Sequence, residues 1–318
     1  MQTFLVVIIS ALIAAACCLA VAYGCFRKAF YLKRKKPYQN NPKQYPLPKG
    51  ALYEPYHPAM RGWHDAARER EYTEHFIKSY DGLTLYARYY EIDKTAPIEI
   101  MFHGYKSSAE RDLIGGMFRC FAQGRNVLLV SQRCSGKSHG RVITFGIKEH
   151  RDCVAWVEYV VKNISPKGEI ILSGISMGGA TVLMAASQTM PSNVIAVIAD
   201  CAYTTPRDII KKVIKSEMHL SPNLCYPFVK LGAFVFGGFN LDKFSPLEAM
   251  KHCKIPVLFF HGDADSFVPC QMSIDNYNAC AAPKKRLVVV KGAEHGLCYA
   301  VDPELYLDEI YEFLGDML

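Results

Sequence analysis

The most informative stretch of the chain reads Glu169-Ile-Ile-Leu-Ser-Gly-Ile-Ser-Met-Gly-Gly-Ala-Thr-Val-Leu-Met-Ala185. It begins with an apolar run of the length and branching that suits a buried strand. The pattern Gly-x-Ser-x-Gly follows at 174–178, and the next residues, rich in Ala, Leu and Met, predict a helix. A strand, a sharp turn and a helix are the setting in which this pattern exposes a serine hydroxyl above a sheet edge. We therefore predict that Ser176 is a nucleophile rather than an ordinary loop serine.

Length and charge limit the classes of protein to which the chain can belong. With 318 residues it can form one sizeable α/β domain plus an appendage. The formal net charge is +7, and six positive charges lie within residues 27–36, so the rest of the chain carries about 7 − 6 = +1. A nucleic-acid-binding domain would have a basic face on its folded part, so we expect no nucleic-acid partner.

The cysteines give no sign of a metal site. The chain has 12 of them, scattered along its length without a Cys-x-x-Cys pair or a Cys/His cluster of zinc spacing. A disulfide framework is unusual in a domain of this size. We therefore expect free thiols, a reducing compartment and no bound metal.

The N-terminal region resembles a membrane anchor. Residues 4–26, after the short tail 1–3, are almost entirely apolar. As a helix with ~1.5 Å rise per residue they extend about 34 Å, enough to cross a bilayer core. A cleaved signal peptide would need a positive residue before this run, and none is present. Because the basic cluster follows the run, we predict a retained single-pass anchor with the rest of the protein in the cytoplasm.

The chain after the anchor divides into a linker and one domain. Residues 27–71 are basic and then rich in proline, which predicts an extended juxtamembrane linker, although Trp63 indicates that part of it packs on the domain. In residues 72–318 predicted strands alternate with helices, after an antiparallel pair joined at Asp81-Gly82. This order predicts a mostly parallel sheet with helices on both faces.

One segment, residues 205–252, interrupts the alternation of strands and helices. It lies between the strand that ends at Asp200 and the strand that starts at Ile255. Its helical pieces predict a small lid over the carboxyl edge of the sheet, and an extra pair of surface helices is the alternative. Its apolar patch, which includes Phe234 and Phe236, predicts a lining for an acyl chain, because burying methylenes is favourable.

A serine hydroxyl needs a base to remove its proton and a carboxylate to orient that base. His295 lies in the turn after the last predicted strand, from which a histidine reaches back to the serine. Asp265 lies in the loop after the preceding strand, and Ser, Asp, His is the order that this arrangement requires. Asp263 is the rival acid, and Asp200, at the end of an earlier strand, is the weaker alternative.

Acyl transfer also needs hydrogen-bond donors for the oxyanion. The backbone N–H of Met177, which follows the nucleophile, is one predicted donor. The second is the N–H of Tyr105, in the loop after the strand that ends near His103. We expect the His103 side chain itself to be structural and hydrogen-bonded under this loop.

Several motifs together resemble the α/β-hydrolase superfamily, in particular its serine aminopeptidase S33-like and monoacylglycerol-lipase-like members. They are His103-Gly-Tyr105, Gln132-Arg133, Gly174-Ile-Ser-Met-Gly178, His261-Gly-Asp-Ala-Asp265 and Glu294-His295. The resemblance covers about residues 72–318 and implies an eight-stranded sheet, no cofactor and a lid between the sixth and seventh strands. The chain departs from the family at Ser131-Gln-Arg-Cys134, where relatives often have Asp-Gln-Arg-Gly.

These expectations combine in a membrane-anchored serine hydrolase that cleaves carboxylic esters through an acyl-enzyme on Ser176. The expected partners are a membrane and a small-molecule ester or acyl substrate. An amidase or aminopeptidase with the same three residues is one alternative. A non-catalytic α/β-hydrolase scaffold is the other, and labelling with a fluorophosphonate separates it from an enzyme because the label reacts with an activated serine.

Overall fold

The computed structural model describes residues 1–33, 47–315 and 317. Within them the strands are β1 (Thr73–Lys78), β2 (Thr84–Tyr90), β3 (Ile98–Phe102), β4 (Asn126–Ser131), β5 (Ile170–Ile175), β6 (Val194–Asp200), β7 (Val257–Gly262) and β8 (Lys285–Val290). The helices are α1 (Gln2–Ala29), α2 (His57–Arg68), α3 (Ala109–Asp112), α4 (Ile114–Ala122), α5 (Glu149–Asn163), α6 (Met177–Ala185), α7 (Pro206–Ser216), α8 (Pro222–Gly237), α9 (Pro246–Met250), α10 (Gln271–Ala279), α11 (Cys298–Val301) and α12 (Pro303–Leu314).

All the described strands form one sheet of eight strands, in the order β1-β2-β4-β3-β5-β6-β7-β8. β1 and β2 are antiparallel to each other, and β2 is antiparallel to β4. The six strands from β3 to β8 all run parallel to one another. The predicted fold class, a mostly parallel sheet of eight strands with an antiparallel start, is therefore confirmed.

Helices cover both faces of the sheet, because the central strands are apolar on both sides. Every residue of β3 is buried, as expected for a parallel strand with no solvent-exposed face. Ile100 packs into the layer that contains Trp156 of α5, whereas its neighbour Met101 packs into the layer that contains Met117 of α4. Phe313 of α12 anchors a third cluster over β6, β7 and β8. The carboxyl ends of the strands are thereby held at one edge, where the site forms.

The end of α1 is part of the folded domain, which differs from the linker that we predicted for residues 27–71. Phe30 is completely buried, and its ring lies edge-on against Phe145 at 5.8 Å and Phe239 at 5.2 Å. Tyr31 forms an antiparallel bridge with Val142. The amide of residue 143 donates to the carbonyl oxygen of Phe30 at 2.9 Å. Three of the prolines on which the linker prediction rested, Pro37, Pro42 and Pro46, lie outside the described residues.

We expect Phe30→Ala to destabilise the domain by about 3–5 kcal/mol, because a fully buried aromatic ring leaves a cavity when it is removed. In detergent the midpoint of thermal inactivation should fall by roughly 10 °C. Leu19→Ala is the matched control, because Leu19 lies on α1 and is 43% exposed. Equal midpoints for the two variants would show that residue 30 does not belong to the domain core.

The segment 205–252 forms α7, α8 and α9 between β6 and β7, at the position predicted for the lid. The prediction that Phe234 and Phe236 line an acyl pocket is wrong. Phe234 is 67% exposed, and the ring of Phe236 packs edge-on against Tyr23 of α1 at 5.1 Å. The sequence could not show which way α8 faces, because α8 is apolar on more than one side. Among the residues described in this segment, Glu217 is the one that lines the cavity beside Ser176.

Candidate active site

Ser176 forms the turn between β5 and α6. Its backbone angles are φ 56° and ψ −116°, which residues other than glycine rarely adopt. Its amide N–H donates to the carbonyl oxygen of Asp200 at 2.8 Å, which fixes the turn to the end of β6. A Cβ atom on Gly178 would lie 1.9 Å from the carbonyl oxygen of Phe102, so a glycine is required there. The close packing of strand, turn and helix explains the Gly-x-Ser-x-Gly pattern.

The structure brings the three predicted catalytic side chains into one chain of hydrogen bonds. His295 Nε2 lies 3.0 Å from Ser176 Oγ, and His295 Nδ1 lies 2.7 Å from Asp265 Oδ2. An ionised carboxylate can only accept hydrogen bonds, so Nδ1 carries the ring proton and Nε2 accepts from the serine hydroxyl. This is the tautomer in which the imidazole can take the proton of Ser176.

Asp265 is held in place from both of its oxygens. Oδ1 accepts from the amides of Phe267 at 2.9 Å and Val268 at 2.7 Å, so Oδ2 is turned towards His295. His261 Nε2 also lies 3.2 Å from Oδ2. Burial alone would raise the pKa of Asp265, but hydrogen bonds from His261 and His295 outweigh it and hold the pKa well below its usual range. The carboxyl group is therefore ionised at neutral pH.

The two alternative acids have other contacts. Asp263 Oδ1 accepts from the amide of Gly292 at 2.6 Å, which ties its loop to the loop that carries His295. The Tyr306 hydroxyl donates to Asp200 Oδ2 at 3.2 Å. Burial raises the pKa of Asp200. Geometry therefore favours Asp265, rather than Asp263 or Asp200, as the partner of His295.

The loop after β3 lies directly over the nucleophile. A Cβ atom on Gly104 would be 3.5 Å from Ser176 Cβ, so the loop that continues into Tyr105 passes close to the nucleophile. The amide of Gly104 donates to Asp112 Oδ2 at 2.9 Å, and His103 Nδ1 donates to the Gly104 carbonyl oxygen at 2.9 Å. The expectation that His103 is a hydrogen-bonded structural residue under the loop is confirmed.

The other predicted oxyanion donor belongs to the start of α6. Met177 is the first residue of that helix and is buried. The first N–H groups of a helix have no partner within it, so the amide of Met177 is available to a ligand. The positive end of the helix dipole also favours negative charge at this point.

The loop with Tyr105 is tied to the end of α1. The Tyr105 hydroxyl donates to the carbonyl oxygen of Ala29 at 2.5 Å. The neighbouring Lys106 Nζ donates to the carbonyl oxygen of Lys28 at 2.6 Å. These carbonyl groups belong to the last turn of α1, which has no intrahelical partners to offer them. Helix α1 and the predicted oxyanion loop are thus directly joined.

A cavity of about 480 Å³ opens beside Ser176 and His295. One wall is apolar and comes from residues before the sheet, with Leu52, Met60 and Trp63 among them. Trp63 stacks on Tyr299 with ring centroids 5.5 Å apart, so this wall is packed against the domain. The cavity can hold a small ester with part of its chain against the apolar wall.

One group of possible metal ligands occurs in the described part of the chain. It consists of Cys201, Asp265 and His295, whose donor atoms lie within 4.8 Å of one another. Asp265 and His295 are bonded to each other, and His295 also faces Ser176. The proximity of two of the three ligands is therefore explained by the hydrogen-bonded chain.

Comparison with known proteins agrees with this architecture. A family model described as the α/β hydrolase fold matches residues 100–218. The chain therefore has the α/β-hydrolase fold. YqkD of Bacillus subtilis, an uncharacterized protein, is 27% identical over 194 residues, or 61% of this chain and 63% of YqkD. Protein bem46 of Schizosaccharomyces pombe is 27% identical over 203 residues, or 62% of this chain and 60% of bem46. The matches thus span about three fifths of these relatives' length.

Solved structures of esterases have a similar fold. The Pyrococcus furiosus esterase Pf2001 superposes with a TM-score of 0.64 at 24% identity, covering 89% of this chain and 98% of Pf2001. Est1E of Butyrivibrio proteoclasticus, in a structure with bound ferulic acid, gives a TM-score of 0.57 at 21% identity, covering 76% and 98%. At these identities the likeness concerns the fold. The closer resemblance to the S33-like and monoacylglycerol-lipase-like groups stays a prediction.

Sequence reasoning missed several residues that shape the candidate site. Asp112 accepts from the amide of Gly104 in the predicted oxyanion loop, and His261 contacts Asp265. No pattern in the sequence predicts either contact, although His261 begins a motif that was recognised. The Tyr53 hydroxyl donates to the carbonyl oxygen of His295 at 3.1 Å, from a region predicted as linker. The aromatic residues of that region were the available signal, but they did not indicate which surface they cover.

Proposed function

We propose that the protein is a membrane-anchored serine hydrolase that cleaves carboxylic esters. The observation that carries the proposal is the continuous set of hydrogen bonds from Ser176 Oγ through His295 to Asp265, at the wall of a cavity. The esterases among its structural neighbours support a hydrolase of this general kind. The reaction begins when Ser176 Oγ attacks the ester carbonyl carbon while His295 Nε2 takes the hydroxyl proton.

The proposed mechanism uses the same groups twice. The amides of Met177 and Tyr105 stabilise the negative oxygen of the tetrahedral intermediate. His295 then gives its Nε2 proton to the alcohol oxygen as the carbon–oxygen bond breaks, which leaves an acyl group on Ser176. Water attacks this acyl-enzyme, with His295 again as the base, and the carboxylic acid leaves. Asp265 stays ionised throughout and holds the imidazole in the required tautomer.

A fluorophosphonate label followed by parallel substrate panels tests this proposal. Wild-type protein should be labelled, and Ser176→Ala should not, because the phosphorus atom bonds to the serine oxygen. Esters should then be hydrolysed faster than matched aminoacyl amides, because the amide carbonyl is more strongly stabilised by resonance and its nitrogen must be protonated before it can leave. Preference for the amides would identify the protein as an amidase or aminopeptidase. Absence of labelling would identify it as a non-catalytic scaffold.

We expect esters of medium-length acids to exceed acetate esters in kcat/KM, because chain methylenes bury against the apolar wall at about 0.8 kcal/mol each. Met60→Ser should narrow this preference by about 4- to 15-fold in detergent, the equivalent of one or two buried methylenes. The control is Phe234→Ser, because Phe234 is exposed on α8 and does not line the cavity. A flat chain-length profile in the wild type would contradict an acyl-binding wall.

The proposed topology places the domain in the cytoplasm. Among the described residues α1 is the helix long and apolar enough to cross a membrane, a property that signal sequences share. Arg27 and Lys28 lie in its last turn, and positive residues favour the cytoplasmic side. Protease added outside sealed cells should therefore leave the domain intact, whereas permeabilised cells should lose it. Degradation in sealed cells, or a mature chain that begins near Cys25, would contradict this topology.

A further inference from the structure

The outer face of α8 is apolar from its first turn to its last. The residues on this face are Leu224, Pro227, Phe228, Leu231, Phe234 and Val235. Their spacing of three and four residues places them on one side of the helix. Leu224 is 69% exposed, and Phe234 is 67% exposed. The opposite side is also apolar, since Tyr226, Val229 and Ala233 are buried in the core.

Polar side chains on α8 are confined to one flank, where Asn223 lies and Lys230 pairs with Asp242. A helix that is apolar around most of its circumference needs an apolar medium around its outer face. Exposed apolar patches on soluble proteins are normally small, and large ones mark contacts with proteins or membranes. The outer face of α8 is therefore an interaction surface rather than an ordinary solvent-exposed face.

This face continues directly onto α1. Gly232 lets the two helices approach closely, since a Cβ atom there would lie 2.3 Å from the carbonyl oxygen of Ala22. Phe236 extends the contact, with its ring 6.0 Å from Phe26. Val21 and Tyr23 of α1 are about half exposed beside it. The two helices thus present one continuous apolar surface.

The contact lies near the C-terminal end of α1, which fixes its depth. Residues 2–26 contain no charged side chain, and Arg27 and Lys28 follow. Phe26 is thus one helical rise, about 1.5 Å, from the first charge, and Tyr23 is about 6 Å away. Lys106 joins Lys28 at the same level, so positive charge surrounds the end of α1, as anionic lipid headgroups favour. The neighbouring end of α8 is therefore at the headgroup boundary.

We propose that α8 is embedded in the same leaflet that receives the end of α1, with its outer face covered by lipid acyl chains. The occupant is lipid rather than a second copy of the chain, because the surface is continuous with a helix whose own exposed residues require lipid. Interfacial helices lie at about 5–10 Å depth, between headgroups and acyl chains, with one apolar face down. This inference rests on the proposed anchoring by α1.

The test places a tryptophan on this face in the full-length protein. Phe234→Trp is reconstituted into phosphatidylcholine vesicles with bromine atoms at shallow or deep acyl positions. The control is Tyr311→Trp, because Tyr311 is 73% exposed on α12, which packs on another layer of the sheet. Emission from Trp63 and Trp156, measured in the wild type, is subtracted. Fluorophosphonate labelling of each variant checks that it is folded.

We expect shallow bromines to reduce the added emission of Phe234→Trp about twofold or more and deep bromines to reduce it less, as interfacial depth predicts. Aqueous iodide should quench the added emission of Tyr311→Trp and spare that of Phe234→Trp.

Two outcomes for the Phe234→Trp variant would overturn the proposal. Quenching by iodide but not by bromolipid would place the outer face of α8 in water. Protection from both quenchers would mean that protein covers the face. Release of the protein by an alkaline wash would instead disprove anchoring, and the labelling result would still stand for the hydrolase.

Discussion

Replacing Ser176 with alanine is expected to reduce ester turnover by about 10⁴- to 10⁶-fold, because the three catalytic residues act as a unit and removing the nucleophile abolishes the acyl-enzyme. The domain should keep its thermal midpoint. Alanine carries the same Cβ atom as serine, so the backbone strain at φ 56° is unchanged. Within the described part of the chain, the partner of the lost hydroxyl is His295. The measurement is a rate with a chromogenic ester on purified protein, beside a melting curve of the same preparation.

The matched control is Ser187→Ala. Ser187 follows the far end of the same helix, α6, and its hydroxyl donates to the carbonyl oxygen of Met184 at 3.0 Å. It should retain nearly all activity. If Ser176→Ala turned over ester at a substantial fraction of the wild-type rate, the covalent mechanism would be abandoned.

Replacing Asp265 with asparagine is expected to lower kcat by about 10⁴-fold, because the histidine is then held in the wrong tautomer. The reason lies in the two amides of Phe267 and Val268, which donate to Oδ1. They keep the oxygen of an asparagine at that position and turn its NH₂ group towards His295. Nδ1 must then accept a hydrogen bond, so Nε2 carries the proton and cannot take one from Ser176.

Asp263→Asn is the control for this prediction. Asp263 Oδ1 accepts one hydrogen bond, from the amide of Gly292, and the oxygen of an asparagine can accept it equally well. Its activity should remain within about tenfold of wild type, since the loop keeps its contact. A larger loss in Asp263→Asn than in Asp265→Asn would reverse the assignment. Mild effects of both would direct attention to Asp200, which lines the same cavity.

The sequence was most informative where local patterns and strand ends coincide. Ser176, Asp265 and His295 each follow a strand, and parallel strands bring their carboxyl ends to one edge. Their approximate positions therefore follow from the order of strands alone. The strand predicted to end at Asp200 does end there, and the strand predicted to start at Ile255 starts at Val257, because each is a short apolar run between turn signals.

Contacts between distant segments were not predictable in the same way. Phe30 stands among basic residues that indicate solvent, yet its ring is buried between Phe145 and Phe239. Trp63 lies in a region judged to be a linker, and the complementary surface at Gly115 becomes visible only in the folded chain. The orientation of α8 could not be predicted for a different reason. Its apolar residues occur on both sides, so periodicity gives no single buried face.

The seam between α1 and the domain has a mechanical consequence. The last turn of α1 is bonded to Tyr105 and Lys106, and the next residue, Phe30, is locked in the core. In the proposed membrane arrangement the domain is therefore attached rigidly to α1 rather than through a flexible linker. The rotation of the domain is coupled to the slow rotation of the anchor helix. The mouth of the cavity therefore keeps a constant height and orientation relative to the lipid surface. Substrates that diffuse within the membrane plane would then meet the site by a two-dimensional search, whereas a tethered domain would sample a hemisphere of solution.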